Sequence, residues 1–226
     1  MSFTKEELQK ITNYTLNVVS IYHQATDTEF NAGTKWYIEA HEIARDWAKQ
    51  YNVPVYKIVG VISAYSINNG WNQNINWAKE FILSQFGKGV AKGLQLQKDY
   101  AQKVWSSNSL TECRNIFLDE EKRTYKLYCF FENIYSATKE TNISVNVNKS
   151  TSMCLPVVTM DRHAISACLD EPTTTIKRSL SKAKNYVYFA EAYQIAANKF
   201  GLLPQQFQAV VWLAVRRLKG VSLHHG

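Results

Sequence analysis

At 226 residues, with 46% hydrophobic, 13% aromatic and 20% charged residues, the chain has the balance of a packed globular protein with one substantial core, which excludes a disordered tail. Its longest apolar runs, Val53 to Ala64 and Phe207 to Val215, fall short of the ~20 residues a membrane crossing needs, and the start at Lys5, Glu6 and Glu7 lacks a secretory pattern, so cytoplasmic residence is expected. The net charge of +7 is concentrated after Thr173, where Lys177, Arg178, Lys182, Lys184, Lys199, Arg216, Arg217 and Lys219 face only Glu191; such a one-sided field points to a polyanion, with nucleic acid as the expected partner.

With four prolines and nine glycines, and apolar residues recurring at i, i+3 and i+4, the sequence predicts a single all-α domain of many helices over 1–226. Thr4 and Glu7 form a capping-box start, followed at helical spacing by Leu8, Ile11, Leu16, Val19 and Tyr22. A second helix is predicted from Lys35 to Tyr51, burying Trp36, Ala40, Ile43, Ala44 and Trp47. Pro54 opens a third, Val55 to Ser66, apolar nearly all round and therefore central. Next comes a carboxamide-rich corner, Asn68, Asn69, Gly70, Trp71, Asn72, Gln73, Asn74, after which Ile75, Trp77, Ala78, Phe81 and Ile82 resume a helix. A sharp helix-helix corner explains these residues, and so does a pocket for a heterocyclic base, because carboxamides pair with base edges and an indole stacks on them.

Further helices are predicted at Leu94 to Trp105, Leu110 to Phe117 and Lys122 to about Ser136. The polar stretch near 138–152, with Ile143, Val145 and Val147 alternating, reads as a long loop or a small hairpin. An apolar run through Pro156, Val157, Val158, Thr159 and Met160 then leads into a helix with Asp161 at its start. Tyr186 to Phe200 closes at Gly201, and Pro204 opens the last helix, with Phe207, Val210, Val211, Leu213 and Ala214 on its apolar face and Gln208 and Trp212 beside it. Cys113, Cys129, Cys154 and Cys168 are widely spaced without a Cys-x-x-Cys pair, which reads as reduced core thiols; neither a metal site nor a cofactor is expected.

The run Leu155-Pro-Val-Val-Thr-Met-Asp161-Arg162-His163-Ala164 places a carboxylate beside an Arg and a His at a helix start. Helix capping accounts for the Asp alone and contributes about 1 kcal/mol. The segment also resembles the Val-Asp-Thr-His-Val signature of the helix-hairpin-helix (HhH-GPD) DNA glycosylase superfamily, with Asp161 and His163 matching and Arg162 in place of threonine. Gly60-Val-Ile-Ser-Ala-Tyr-Ser66 with its carboxamides is similar to the family's apolar helix and Ser-Gln-Gln-Thr corner, and Lys122 through Ile134 is similar to its lysine-led second hairpin helix. The chain further resembles a group of bacteriophage proteins sharing Gly-Val-Ile-Ser, Trp-x-Gln-Asn, Asp-Arg-His-Ala and Gln-Ala-x-x-Trp, here ending in Gln208 and Trp212. The resemblance spans about 36–217, leaving 1–35 as an N-terminal helix and lead-in. Where the family has a glycine hairpin, this chain has Leu118-Asp-Glu-Glu-Lys122, whose acids repel a phosphate. Between Lys122 and Asp161 it is also longer than the family pattern.

The resemblance implies cleavage of an N-glycosidic bond of a modified or damaged base in phage or host DNA. Asp161 stabilises the oxocarbenium-like state, and Arg162 and His163 orient it or hold a phosphate. A flipped base would lie against Trp71 or Trp212, with Asn68, Asn69, Gln73, Asn74 and Gln208 around it. Lys122 or Lys126 is the candidate Schiff-base lysine of a bifunctional variant, with simple hydrolysis preferred. Lys177, Arg178, Lys182, Lys184, Arg216, Arg217 and Lys219 form the nucleic-acid-binding set. The alternatives are a non-catalytic nucleic-acid-binding or protein-interaction module on the same helices, and a phage nucleotide- or base-modifying enzyme.

Overall fold

The computed structural model describes residues 3–118, 125–138, 144–148, 153–176 and 183–220. Among the described residues ten helices and one two-stranded ribbon are formed: α1 (Lys5–Tyr22), α2 (Asp27–Tyr51), α3 (Val55–Tyr65), α4 (Trp71–Ser84), α5 (Gln95–Ser106), α6 (Leu110–Phe117), α7 (Tyr125–Tyr135), β1 (Ser144–Asn148), β2 (Met153–Pro156), α8 (Arg162–Leu169), α9 (Ala183–Lys199) and α10 (Pro204–Leu218). The helices group into two compact units. One comprises residues 1–37 and 139–221, and the other comprises 38–138 with 222–226, so α2 contributes to both.

Local chemistry sets most helix ends. The Thr4 hydroxyl accepts from the Glu7 N–H (3.2 Å) while the Glu7 carboxylate accepts from the Thr4 N–H (2.9 Å), closing the start of α1 reciprocally. The same box recurs between Thr26 and Glu29, at 2.9 and 3.2 Å, so α2 begins eight residues before the predicted Lys35. α4 starts at Trp71, directly after Gly70, so Asn72, Gln73 and Asn74 belong to its first turns rather than to a loop preceding Ile75. Gly201, at φ +65, follows α9 in the left-handed conformation that glycine adopts without steric cost.

In the first unit, α1 packs against α8, α9 and α10. Tyr22 stacks on Phe207 at 4.7 Å and lies 4.5 Å from Phe200, and Val18, Tyr186, Phe189 and Tyr193 are buried. Gly33 of α2 lets that helix close on α10, since a Cβ there would fall 2.6 Å from the Val210 backbone. The small hairpin predicted near 138–152 is an antiparallel ribbon displaced toward the C-terminus, pairing Ser144 with Pro156, Val145 with Leu155 and Asn146 with Cys154, then bulging before Asn148.

In the second unit, α3 is central, as its all-round apolar sequence predicts: Ile58 through Tyr65 are buried, and α4, α5, α6 and α7 pack against it. Gly60 admits α5 closely, a Cβ there meeting Val104 Cγ1 at 2.5 Å. Glu132, 1% exposed, accepts two hydrogen bonds from the Arg114 guanidinium (2.6 and 2.9 Å), a paired geometry that offsets the cost of burying the charge. Cys113 and Cys168 are buried free thiols, as expected, and Cys129 is buried; the Cys154 side chain lies outside the described residues.

Candidate active site around Asp161

Asp161 occupies the N-cap of α8 in an extended conformation (φ −89, ψ −176). Its Oδ1 accepts from the Ala164 N–H at 2.8 Å, and its Oδ2 accepts from the Trp212 indole N–H at 2.9 Å. The carboxylate is half-buried, and two donors from different helices fix its plane. Each oxygen keeps further lone-pair capacity, since an ionised carboxylate has about four acceptor sites.

The strand-like approach to Asp161 is held just as firmly. The Tyr186 hydroxyl donates to the Val158 carbonyl (2.6 Å) and accepts from the Met160 N–H (3.1 Å). One turn pair further along α9, Tyr193 donates to the Ala164 carbonyl at 3.2 Å. At the other end of α8, Asn17 Nδ2 donates to the Cys168 carbonyl (2.8 Å), Asp170 adopts φ +53, and Lys219 donates to the Ser166 hydroxyl (2.9 Å) and to the Glu171 carbonyl. The short helix carrying Asp161 is thus tied down at both ends by α1, α9 and α10.

Trp212 joins three charged or titratable groups. Besides donating to Asp161, its ring lies beneath the Arg216 guanidinium, 4.4 Å from carbon to ring centroid, and meets the half-buried His163 ring edge-on at 6.0 Å. Arg216 is 2% exposed. Burial pulls its pKa below the ordinary arginine value, and the Asp161 charge opposes that pull, so the two charges sense one another across the indole. Arg162 projects into solvent. Of the sequence-predicted catalytic set, Asp161 and His163 therefore share a cluster with Trp212, and the arginine beside them is Arg216 rather than Arg162.

Other predicted residues fall elsewhere. Gln208 is buried with its Oε1 3.1 Å from the Tyr37 hydroxyl, which also lies 3.1 Å from the Thr159 hydroxyl; a carbonyl oxygen only accepts, so Tyr37 donates to Gln208. That carboxamide joins α10 to α2. Trp212 is a half-buried hydrogen-bond donor with the Arg216 guanidinium over its ring.

Three members of the basic set, Arg216, Arg217 and Lys219, have described side chains. Arg216 is in the interior. Arg217 donates to Glu29 (2.8 and 3.2 Å) and to the Gln24 carbonyl (2.6 Å), and Lys219 is spent on α8. Lys177, Arg178 and Lys182, and the Lys184 side chain, lie outside the described residues, as does Lys122.

Asn68, Asn69, Trp71, Gln73 and Asn74 belong to the second unit. Asn68 is exposed at φ +56, Asn69 Nδ2 donates to the Tyr65 carbonyl (3.1 Å), Trp71 is half-buried, Gln73 is exposed and Asn74 is 2% exposed. Lys126 donates to the Ser66 carbonyl at 3.3 Å, holding the corner from α7. Tyr37 and Tyr186 were not singled out from sequence, and Arg216 was assigned to the nucleic-acid-binding set rather than to the surroundings of Asp161. For Arg216 a signal existed, because Trp212 and Arg216 are four apart on one helix and so share a face.

Among the described residues, no group of three or more His, Cys, Asp or Glu side chains comes together as a metal site, and no helix is long and apolar enough to cross a membrane. No curated protein and no solved structure matches the chain. The model of one family matches residues 1–219, and the chain belongs to that family, described as a family of unknown function, DUF7178.

Proposed function

We propose that the chain is a glycosylase-like enzyme that hydrolyses the N-glycosidic bond of a modified or damaged base in DNA, with Asp161 as the catalytic carboxylate. One observation carries the reading: a half-buried carboxylate at a helix start, held by the Ala164 N–H at 2.8 Å and the Trp212 N–H at 2.9 Å, on a helix anchored at both ends. A cap needs only the first of these bonds. The second fixes the orientation of a negative charge, which is what a developing oxocarbenium ion requires.

In the proposed reaction the bond between C1′ and the base nitrogen breaks, its electron pair leaving with the base. Water adds its oxygen to C1′. Its proton passes by way of Asp161 to the departing base, and the carboxylate offsets the positive charge on the sugar in between. Arg216, behind the indole, and His163, beside it, are the groups placed to tune that carboxylate.

The test is release of free base from single- and double-stranded oligonucleotides carrying normal, damaged and phage-type modified bases. Asp161→Asn keeps a good cap residue, so the variant should stay folded and lose turnover. Release that survives the substitution, or no release from any substrate by the wild-type chain, sinks the reading.

A further inference from the structure

A large apolar side chain that reaches solvent singly is ordinary on a protein surface, whereas a cluster of them marks a contact. Among the described residues, four of the nine exposed large hydrophobics fall in one short stretch between α4 and the start of α5: Phe86 (44%), Val90 (81%), Leu94 (50%) and Leu96 (46%). The same stretch is one-sided in charge, since residues 84–98 hold Lys88, Lys92 and Lys98 and no acid.

This loop is fastened at its two feet and open between them. At the first foot the Gly87 and Lys88 N–H groups donate to the Ser84 and Leu83 carbonyls (3.1 and 3.0 Å), and the Phe86 ring stacks on Tyr51 at 5.6 Å with Trp105 edge-on at 6.0 Å. At the second, the Tyr65 hydroxyl donates to the Lys92 carbonyl (3.0 Å), the Lys92 ammonium pairs with Glu80 (2.8 Å), and Gln97 Oε1 accepts from the Leu94 N–H (2.8 Å). Gly87 and Gly89, at φ +71 and +117, would meet no atom within 4 Å if they carried a Cβ. The crest around Val90 therefore stands clear on a base that is already ordered, which lowers the entropy cost of docking it.

Chemistry selects the occupant. A phosphate backbone would satisfy the lysines but leave Val90, Leu94 and Leu96 in water. A folded partner would need a groove shaped to a convex crest. A lipid surface yields to such a crest, takes aliphatic side chains at its acyl boundary and offers anionic headgroups to the ammonium groups around it. Lys88 lies two residues from Val90, and Lys98 lies one helical turn beyond Leu94, its N–H bonded to the Leu94 carbonyl (3.1 Å). Neither ammonium has an ion-pair partner among the described residues, while the adjoining acids are engaged, Glu80 by Lys92 and Asp99 by Gln95 (2.7 Å).

We propose that the loop between α4 and α5 docks on an anionic lipid bilayer, with Val90 and Leu94 entering the interface and Lys88 and Lys98 meeting headgroup phosphates. This binding is independent of the reaction proposed at Asp161.

The full chain should co-sediment with vesicles of phosphatidylcholine mixed with phosphatidylglycerol at least about tenfold more strongly than with phosphatidylcholine alone, because each unpaired lysine at an anionic surface contributes roughly fivefold. Added salt should weaken the binding. Val90→Asp should lose most of it, and Lys88→Glu part of it. In Val90→Trp, lipids brominated in the acyl chain should quench fluorescence beyond what they quench in the wild type; if Val90→Asp does not fold, this measurement decides alone. No binding to anionic vesicles, equal binding to both compositions, full binding by a folded Val90→Asp, or no added quenching in Val90→Trp overturns the inference. So does a Lys88→Glu variant that loses affinity for a double-stranded oligonucleotide while keeping its affinity for vesicles, which would assign the loop to nucleic acid.

Discussion

Asp161 performs two jobs that substitution can separate. Its bond to the Ala164 N–H caps α8, and its bond to Trp212 spans 51 residues of sequence to fix the carboxylate. Asparagine keeps the cap through its oxygen but turns a donor NH2 toward the indole N–H, whereas alanine loses about 1 kcal/mol of cap as well as the indole's acceptor. Thermal melts should therefore rank wild type above Asp161→Asn and Asp161→Asn above Asp161→Ala. Trp212→Phe keeps a ring under Arg216 but removes the donor to a charged group, and a loss of about 1.5–3 kcal/mol is expected in chemical denaturation. Equal stability of Trp212→Phe and wild type would mean the indole bond is not made in solution. Glu29 supplies a second residue-scale test. Burial opposes its ionisation, but hydrogen bonds from Arg217 and from the Thr26 N–H, together with the Arg217 charge, outweigh that and lower its pKa below the ordinary 4.5. A folded pKa below the unfolded one gives stability that is complete above about pH 4.5 and is lost as pH falls through the folded value. Arg217→Met should melt below wild type at pH 6, with the gap closing toward pH 3; a gap independent of pH would contradict the pairing.

At the scale of elements, what was legible in the sequence is what neighbours in the chain decide. Thr4 with Glu7, Asp161 ahead of an apolar turn, Pro204 and Gly201 each mark an end through chemistry contained within four residues, and α1, α8, α9 and α10 stop or start there. The start of α2 was equally local and was passed over: Thr26-Asp-Thr-Glu29 is a second capping box, hidden because the apolar stripe becomes regular only after Lys35. The site was half legible. Asp161 is marked by its place at a helix start, but its pairing with Trp212 and the inward turn of Arg216 depend on how α8 and α10 pack, which no local rule encodes. Close helix approach is likewise invisible until packed, and two glycines test it. Alanine in a helix is favoured over glycine by about 1 kcal/mol, so Gly→Ala stabilises wherever there is room. At Gly60 the new methyl meets Val104 Cγ1 at 2.5 Å and Cys113 Sγ at 3.0 Å, side-chain atoms that can yield. At Gly33 it meets the Val210 backbone N and Cα at 2.6 Å, which cannot. Denaturant melts should show a loss of about 1 kcal/mol for Gly60→Ala and about 3 kcal/mol for Gly33→Ala; the reverse order would show that the approach of α2 to α10 is looser than drawn.

For the whole molecule, the buried thiols report on each unit from inside. Burial pushes the Cys113 thiol up to about 12 from 9.0, with Glu132 adding to the effect and Arg114 and Lys57 opposing it, and burial alone raises Cys168. The thiolate is the reactive form, and neither sulfur meets reagent until its surroundings open. Iodoacetamide at pH 8 should therefore label both at least about a hundredfold more slowly than a free thiol, and unfolding should abolish the protection. Cys168 belongs to the unit of residues 1–37 and 139–221, and Cys113 to the unit of 38–138. Labelling by brief opening follows the free energy of that opening, so a substitution confined to one unit should be felt first by that unit's own cysteine. Gly33→Ala strains α2 against α10 within the first unit alone. Site-resolved mass spectrometry should then show Cys168 labelling accelerated more than Cys113 labelling. Because α2 runs unbroken from one unit into the other, the competing outcome is physically definite: equal acceleration at both sulfurs would mean that the shared helix makes the two units open as one cooperative body.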